Sequence, residues 1–217
     1  LDSHYYIAIE GVIGVGKTTL VRLAQKEFDA EILLEVFEEN PFLERFYQDR
    51  KRYGFHTQIF FLLSRFHQQH DAVPAALARG NLISDYTFDK NKIFARLNID
   101  GDELTMYERV QEIMATKIPT PNLVVYLRAE TDVLMERIAF RDRAYERAME
   151  RDYIAALGDV YDRFFSHYAA APVLTIDTNH LDIVHRPQDL RTVLDHIRAK
   201  LDLAPYQQPL FESGAKA

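Results

Sequence analysis

The 217-residue chain has no cysteine and no tryptophan, and only eight glycines and eight prolines. Without cysteine it has no disulfide, no thiolate metal site and no thiol nucleophile, which fits a reducing cytosol. It also lacks long apolar runs. Stretches such as Ile59-Phe60-Phe61-Leu62-Leu63 are the longest, far short of the ~20 residues that cross a bilayer. Positive charge is outnumbered, with 26 Lys and Arg against 33 Asp and Glu and a net charge of −7. That balance argues against a general nucleic-acid-binding surface. No repeat or low-complexity segment is visible, and the eight histidines show no metal-ligand spacing. Leu1-Asp2-Ser3-His4 runs straight into an apolar segment, which predicts no signal peptide; a first residue other than Met suggests residues upstream. A hydrophobic content of 47% with 27% charged residues predicts a soluble globular domain over 1–204. The tail at 205–217, with two prolines and small residues, reads as a loosely held arm.

What is present begins with Gly11-Val12-Ile13-Gly14-Val15-Gly16-Lys17-Thr18, a full match to G-x-x-x-x-G-K-[ST]. A β-rich run precedes it and a helical pattern with Leu20, Ala24 and Phe28 on one face follows, as the motif requires. Glycines let the backbone wrap a phosphate, and successive N–H groups with the helix dipole attract the anion. Lys17 would neutralise β/γ oxygens, the Thr18 hydroxyl would hold Mg²⁺, and Thr19 belongs to the same first turn. The loop predicts a nucleoside-triphosphate site.

Five strand-like runs, at 5–9, 32–36, 81–84, 123–127 and 173–177, alternate with helical patterns near 17–28, 54–73, 102–116, 130–141, 150–169 and 188–202. The runs are apolar on both alternations, predicting strands covered on both faces. The alternation predicts an α/β fold, a five-stranded parallel sheet with helices on both faces. Ligands bind such sheets beyond the carboxyl ends of the strands, which nominates the glycine loop, Glu35, Asp85, Arg128 and Asp177.

Each further candidate has a plainer reading beside it. Glu35 at a strand end suits a general base facing the triphosphate; with Glu38 and Glu39 nearby, a solvated acidic loop is the alternative. Asp85 suits an Mg²⁺ site or an N-cap for the next helix. Gln58 and Arg65, two turns apart beside an apolar stripe, would read the polar edge of a planar ligand with Phe61 as stacking surface, or form a solvated flank. Arg137, Arg141 and Arg143 suit the charge of a transferring phosphoryl group, or a charged surface helix interleaved with acids.

Together these segments resemble the deoxynucleoside kinase family, closest in wording to its bacterial deoxyadenosine/deoxyguanosine branch. The resemblance is carried by Glu38-Glu39-Asn40-Pro41-Phe42, Thr57-Gln58-Ile59-Phe60-Phe61-Leu62-Leu63-Ser64-Arg65, Ser84-Asp85-Tyr86-Thr87-Phe88-Asp89-Lys90 with Ile93-Phe94-Ala95, the arginines at 137–143, and Asp152-Tyr153. It implies a P-loop kinase-like fold with an arginine-rich lid and transfer of the ATP γ-phosphate, with Mg²⁺, to the 5′-hydroxyl of a deoxyribonucleoside. A purine is implied, with a deoxycytidine or thymidine preference as the alternative, and so is a homodimer. By motif, Glu35 is the base, with Val36 where the family has Pro. Gln58 reads the nucleobase with Arg65. Tyr47 and Glu146 hold the sugar 3′-hydroxyl, Arg137, Arg141 and Arg143 form the lid, and Asn179 lies in the loop around the ATP adenine. Tyr86 stands where many members carry arginine, and Lys90 is the nearest cation to replace part of its charge. A nucleoside-monophosphate kinase would want basic residues where Glu35, Glu38 and Glu39 stand. The intact loop and lid argue against a subunit that has lost turnover.

Overall fold

The computed structural model describes residues 4–37, 39–143, 146–147 and 149–203; Glu38 and the predicted tail lie outside them. Five parallel strands, β1 (Tyr6–Gly11), β2 (Ala30–Leu33), β3 (Asn81–Ser84), β4 (Leu123–Arg128) and β5 (Val173–Asp177), form one sheet in the order β2-β3-β1-β4-β5. β1 lies in the middle with every residue buried, its apolar side chains meeting helices on both faces. The strand order reverses at β1, the switch point where such sheets open a crevice. The glycine loop leaves the sheet there.

Around the sheet run α1 (Lys17–Glu27), α2 (Leu43–Gln48), α3 (Arg50–Leu77), α4 (Lys90–Asn98), α5 (Gly101–Ala115), α6 (Thr131–Arg141), α7 (Arg151–Ser166) and α8 (Pro187–Lys200). Two of these, α2 and α4, are absent from the predicted pattern, being too short to establish a 3.6-residue period. α3 outruns its predicted span. Asp49 caps its start by accepting from the Arg52 N–H at 3.1 Å, and Pro74 falls in its last turn, where one lost backbone bond is tolerated. At Gly54 a Cβ would sit 2.5 Å from the Asn98 carbonyl. Glycine there lets α3 lie against α4, and that packing brings Arg65 to the start of α4.

Two strand expectations need correction. β2 ends at Leu33 rather than 36, because its partner β3 ends at Ser84, opposite Leu33. Past that point the chain turns off the sheet, and Glu35 lies two residues beyond the strand. The two edge strands are also not covered throughout, since Glu31, Thr175 and Asp177 are exposed.

Candidate active site

The glycine loop is shaped by its backbone. Gly16 has φ 103° and forms the N-cap of α1, and a Cβ there would meet nothing within 4 Å. A side chain is therefore excluded by conformation, and the open space above is left to a ligand. Gly11, Val12, Ile13, Gly14 and Val15 complete the turn. Lys17 curls back, donating to the carbonyls of Gly11 at 2.7 Å and Val12 at 3.1 Å. Desolvation, then the neighbouring Lys90 charge, pushes its ammonium down to about 8.

Thr18 donates its hydroxyl to Asp85 Oδ2 at 2.5 Å, and Asp85 Oδ1 accepts the Glu35 N–H at 2.8 Å. Asp85 thus joins the phosphate loop to the segment carrying Glu35. It does not cap α4, which starts five residues later, so of its two sequence readings the N-cap falls away.

Glu35 is pinned from two sides. Arg65 reaches Oε1 through Nε at 2.8 Å and Nη2 at 2.6 Å, and Lys90 Nζ lies 2.5 Å from Oε2. Burial works to raise its pKa, but Lys90 and Arg65 prevail and hold the carboxyl down at about 2. Arg65, 3% exposed, also donates to Asn91 Oδ1 at 2.6 Å and lies 4.6 Å over the Phe61 ring. Its guanidinium anchors Glu35, a contact that the sequence expectation did not include. Tyr86 points elsewhere. Its hydroxyl donates to Gln68 Oε1 at 2.5 Å, and Gln68 Nε2 donates to the Leu34 carbonyl at 2.7 Å, which props the segment before Glu35.

These groups line one end of a cleft of about 740 Å³ that also takes in Tyr47, Gln58, Arg141, Arg143 and Glu146. At its other end Gln58 is 1% exposed, and among the described residues its Oε1 and the hydroxyl of Thr57 have no hydrogen-bond partner. Seven residues of helix separate Gln58 from Arg65, roughly 10 Å at 1.5 Å per residue. That is the reach of a nucleoside from its 5′-oxygen to the edge of its base. Arg141 grips Glu146 through Nε at 3.1 Å and Nη2 at 2.6 Å, while Arg143 stands 3.8 Å from Glu146 and 4.6 Å over the Phe37 ring.

A second cleft, about 970 Å³, opens on the other side of the glycine loop between Thr19, Arg137, Phe140, Arg141, Thr178 and the segment 181–184. The two clefts share Gly14 and Arg141. Arg137 is bound to Thr178, through the hydroxyl at 3.0 Å and the carbonyl at 2.7 Å, so it borders this second cleft with Arg141 and does not line the first, where Arg141 and Arg143 stand together. Asn179 also departs from expectation. Its side chain accepts from the Glu130 N–H at 2.7 Å and donates to Asp177 at 3.2 Å, facing a separate crevice with Arg128. Arg128 and Asp177, nominated by the strand-end rule, belong to that crevice, where Arg128 is bound to Asp162.

Sequence reading missed Asn91 and Glu10, and it named Lys90 only as a partial replacement for the arginine absent at Tyr86, without its contact to Glu35. Lys90 and Asn91 open the short α4 that the periodicity did not reveal. Glu10 lies fully buried in β1, accepting from Thr87 N–H at 2.7 Å, the Thr87 hydroxyl at 3.0 Å and the Tyr161 hydroxyl at 3.2 Å. Burial pushes its pKa up, offset in part by Lys90 and Thr87. An acid inside an apolar strand, just before a glycine loop, was the available signal.

A phosphate loop, a carboxylate at the strand ends and two clefts meeting between them define a kinase that phosphorylates a small acceptor. The deoxynucleoside kinase family model matches residues 7–202, and the chain belongs to that family. It is similar to the deoxyguanosine kinase of Bacillus subtilis (strain 168), 32% identical over 91% of this chain and 98% of that protein. It is also similar to the deoxyadenosine/deoxycytidine kinase of the same organism, 29% identical over 91% and 93%. Among solved structures, deoxyadenosine kinase from M. mycoides with bound dATP matches with a TM-score of 0.77 and 26% identity, covering 90% of this chain and 100% of that one. The chain is accordingly an ATP-dependent phosphotransferase that acts on deoxynucleosides.

Proposed function

We propose that the first cleft takes a purine deoxyribonucleoside and the second takes ATP, with the γ-phosphoryl group passing between them above the glycine loop. The observation that carries this reading is the run along α3 from the pinned Glu35–Arg65 pair to the unpartnered Gln58 Oε1 and Thr57 hydroxyl. A buried polar atom without a partner costs about 1–3 kcal/mol, and a base edge docked there would offset it. The base sits against Phe61, with Gln58 on its hydrogen-bonding edge. Tyr47 and Glu146 face the sugar 3′-hydroxyl, and Glu35 receives the proton of the 5′-hydroxyl. Lys17, Arg141 and Arg143 balance charge on the phosphates, Arg137 shapes the wall of the ATP cleft, and the exposed Phe140 offers an apolar surface to the ATP base. The purine assignment is supported by the names of the similar kinases, a deoxyguanosine kinase, a deoxyadenosine kinase and a deoxyadenosine/deoxycytidine kinase, each of which includes a purine.

Among the described residues no group of three acidic or imidazole side chains could hold a metal alone. Thr18 and Asp85 place one hydroxyl and one carboxylate together, the sparse oxygen set with which Mg²⁺ binds alongside water and substrate phosphates. Those two residues would hold it, directly or through water, and it would neutralise charge on the β- and γ-phosphates. We further propose a homodimer in the cytosol. Met106, Val110 and Ile113 make an exposed apolar stripe on α5, i, i+4 and i+7 on one face, suited to a second copy. No helix among the described residues is long and apolar enough to cross a membrane.

The deciding experiment is a coupled assay of ADP release with ATP and each of the four deoxynucleosides. Turnover with deoxyadenosine or deoxyguanosine is expected. A preference for thymidine or deoxycytidine would overturn the purine assignment, and turnover only with nucleoside monophosphates would overturn the acceptor. Ile113→Asp, measured by light scattering, should halve the particle mass if α5 forms the dimer.

A further inference from the structure

Lys90 has no part in the mechanism above, yet it stands at its centre. It opens α4, its side chain is 7% exposed, its ammonium is 2.5 Å from Glu35 Oε2, and it lies 5.6 Å from the centre of the Phe94 ring. Glu35 does not need it as a counter-ion. Arg65 already makes a two-nitrogen contact with the other carboxylate oxygen and balances the charge. A second buried ammonium on the same carboxylate carries a desolvation cost of its own. The cleft as a whole shares the imbalance, with five Lys and Arg side chains lining it against three carboxylates. Such an excess of positive charge serves a polyanionic ligand better than it serves the fold.

We infer that Lys90 is a catalytic residue, its ammonium binding the transferring phosphoryl group as the reaction removes the charge of its resting partner. This rests on the reading of Glu35 as the acceptor of the 5′-hydroxyl proton. In the transfer, the 5′-oxygen forms a bond to Pγ while the bond from Pγ to the β,γ-bridging oxygen breaks, its electron pair leaving with ADP. The hydroxyl proton moves to Glu35. Once protonated, Glu35 no longer attracts Lys90, at the moment the phosphoryl oxygens and the new phosphate ester need a cation. The ammonium carries three N–H donors on a flexible stem and sits beside the oxygen that takes the proton. An interaction that strengthens only as charge moves raises turnover rather than ground-state affinity.

The test is a double-mutant cycle on the intact chain, comparing wild type, Lys90→Gln, Glu35→Gln and the double variant, with Lys90→Arg as the conservative rescue. Steady-state kcat and KM are measured with ATP and deoxyguanosine or deoxyadenosine. Lys90→Gln should lower kcat about 10²-fold with nucleoside KM changed less than about threefold. Lys90→Arg should recover most of that loss. The double variant should fall at least about tenfold below Glu35→Gln, because Lys90 still serves the phosphoryl group when Glu35 has no charge to pair. A double variant no slower than Glu35→Gln would overturn the inference, since Lys90 would then act only through Glu35. A Lys90→Gln enzyme with wild-type turnover would overturn it as well. Should Lys90→Gln not fold, the double variant, which removes both charges of the pair, and Lys90→Arg still decide. Wild-type enzyme inactive on every deoxynucleoside would count against the functional reading itself, a separate result from an active enzyme indifferent to Lys90.

Discussion

The two ends of the reaction cleft are built to different standards. At the acceptor end the ions are already in place: Glu35 is fixed between Arg65 and Lys90, and Arg65 is fixed in turn by Asn91. At the proposed donor end the candidate phosphate-cleft residues described are engaged on the protein itself. Lys17 is folded onto loop carbonyls, Thr18 onto Asp85, Arg141 onto Glu146 and Arg137 onto Thr178. On the proposed function, the bonds of Lys17, Thr18 and Arg141 are exchanged for ligand contacts when ATP and its Mg²⁺ arrive. The acceptor end is therefore preorganised and selects by fit, whereas the donor end is assembled by its ligand. On the proposed function, the Arg141–Glu146 pair couples the two, one group facing phosphate and the other sugar.

The largest effect should come from the preorganised end. Glu35→Gln keeps the shape but removes the proton acceptor, so kcat should fall by 10²–10⁴ with nucleoside KM little changed. It also leaves Arg65 and Lys90 buried without their counter-charge, and breaking a buried pair costs about 3–5 kcal/mol. The melting temperature should drop by several degrees in a thermal scan. Near wild-type turnover would remove Glu35 from the mechanism. At the donor end, Arg141→Ala or Arg143→Ala should lower kcat by about 10² and ATP affinity by much less, as expected for groups that engage fully only in the transition state. Kinetics showing only weaker ATP binding would make them positioning groups.

The same contrast explains what could be read in the sequence. The glycine loop, the parallel sheet and the six long helices follow from local pattern: a motif with a physical requirement, apolar runs, and a 3.6-residue period. Gln58 and Arg65 share a helix side because seven residues make two turns. What pattern does not encode is the partner of each charge. Whether Arg65 meets a base or Glu35 depends on where β2 stops, which β3 determines through its own length. Lys90 lies on a nine-residue helix, and Asn179 turns toward Glu130 because the loop after β5 runs beside the start of α6. Arg137 shares the lid motif with Arg141 but is one turn earlier, which puts Thr178 within its reach. Long-range pairing decided each of these.

A smaller effect concerns base choice. Gln58 has one amide donor and one acceptor, and amide rotation lets it meet either purine edge. Hydrogen bonding alone does not separate purines from cytosine. The wrong base would leave a buried polar group unpaired, about 1–3 kcal/mol. Purine deoxynucleosides should therefore lead by at least about tenfold in kcat/KM. Gln58→Leu should compress that ratio with kcat on the best substrate less affected. A ratio unchanged by the substitution would place selectivity elsewhere in the cleft.

The smallest effect tests whether the two ends communicate electrostatically. Desolvation lowers the pKa of Lys17, and the charge of Lys90 lowers it further, to about 8. A lowered lysine pKa means that the free enzyme loses this cation as pH rises through that value, so its attraction for triphosphate weakens on the alkaline side. With saturating Mg²⁺ and nucleoside, kcat/KM for ATP should fall about threefold between pH 7.5 and 8.5 from the loss of protonated Lys17. The value of kcat should stay nearly flat over that range, because bound phosphate oxygens favour the ammonium and lift its pKa in the complex. Lys90→Gln removes one cause of the depression and should move the alkaline limb to higher pH, even though it lowers kcat. An alkaline limb unmoved in that variant would mean that desolvation alone tunes Lys17, and that the prebuilt acceptor end exerts no electrostatic hold on the end that ATP assembles.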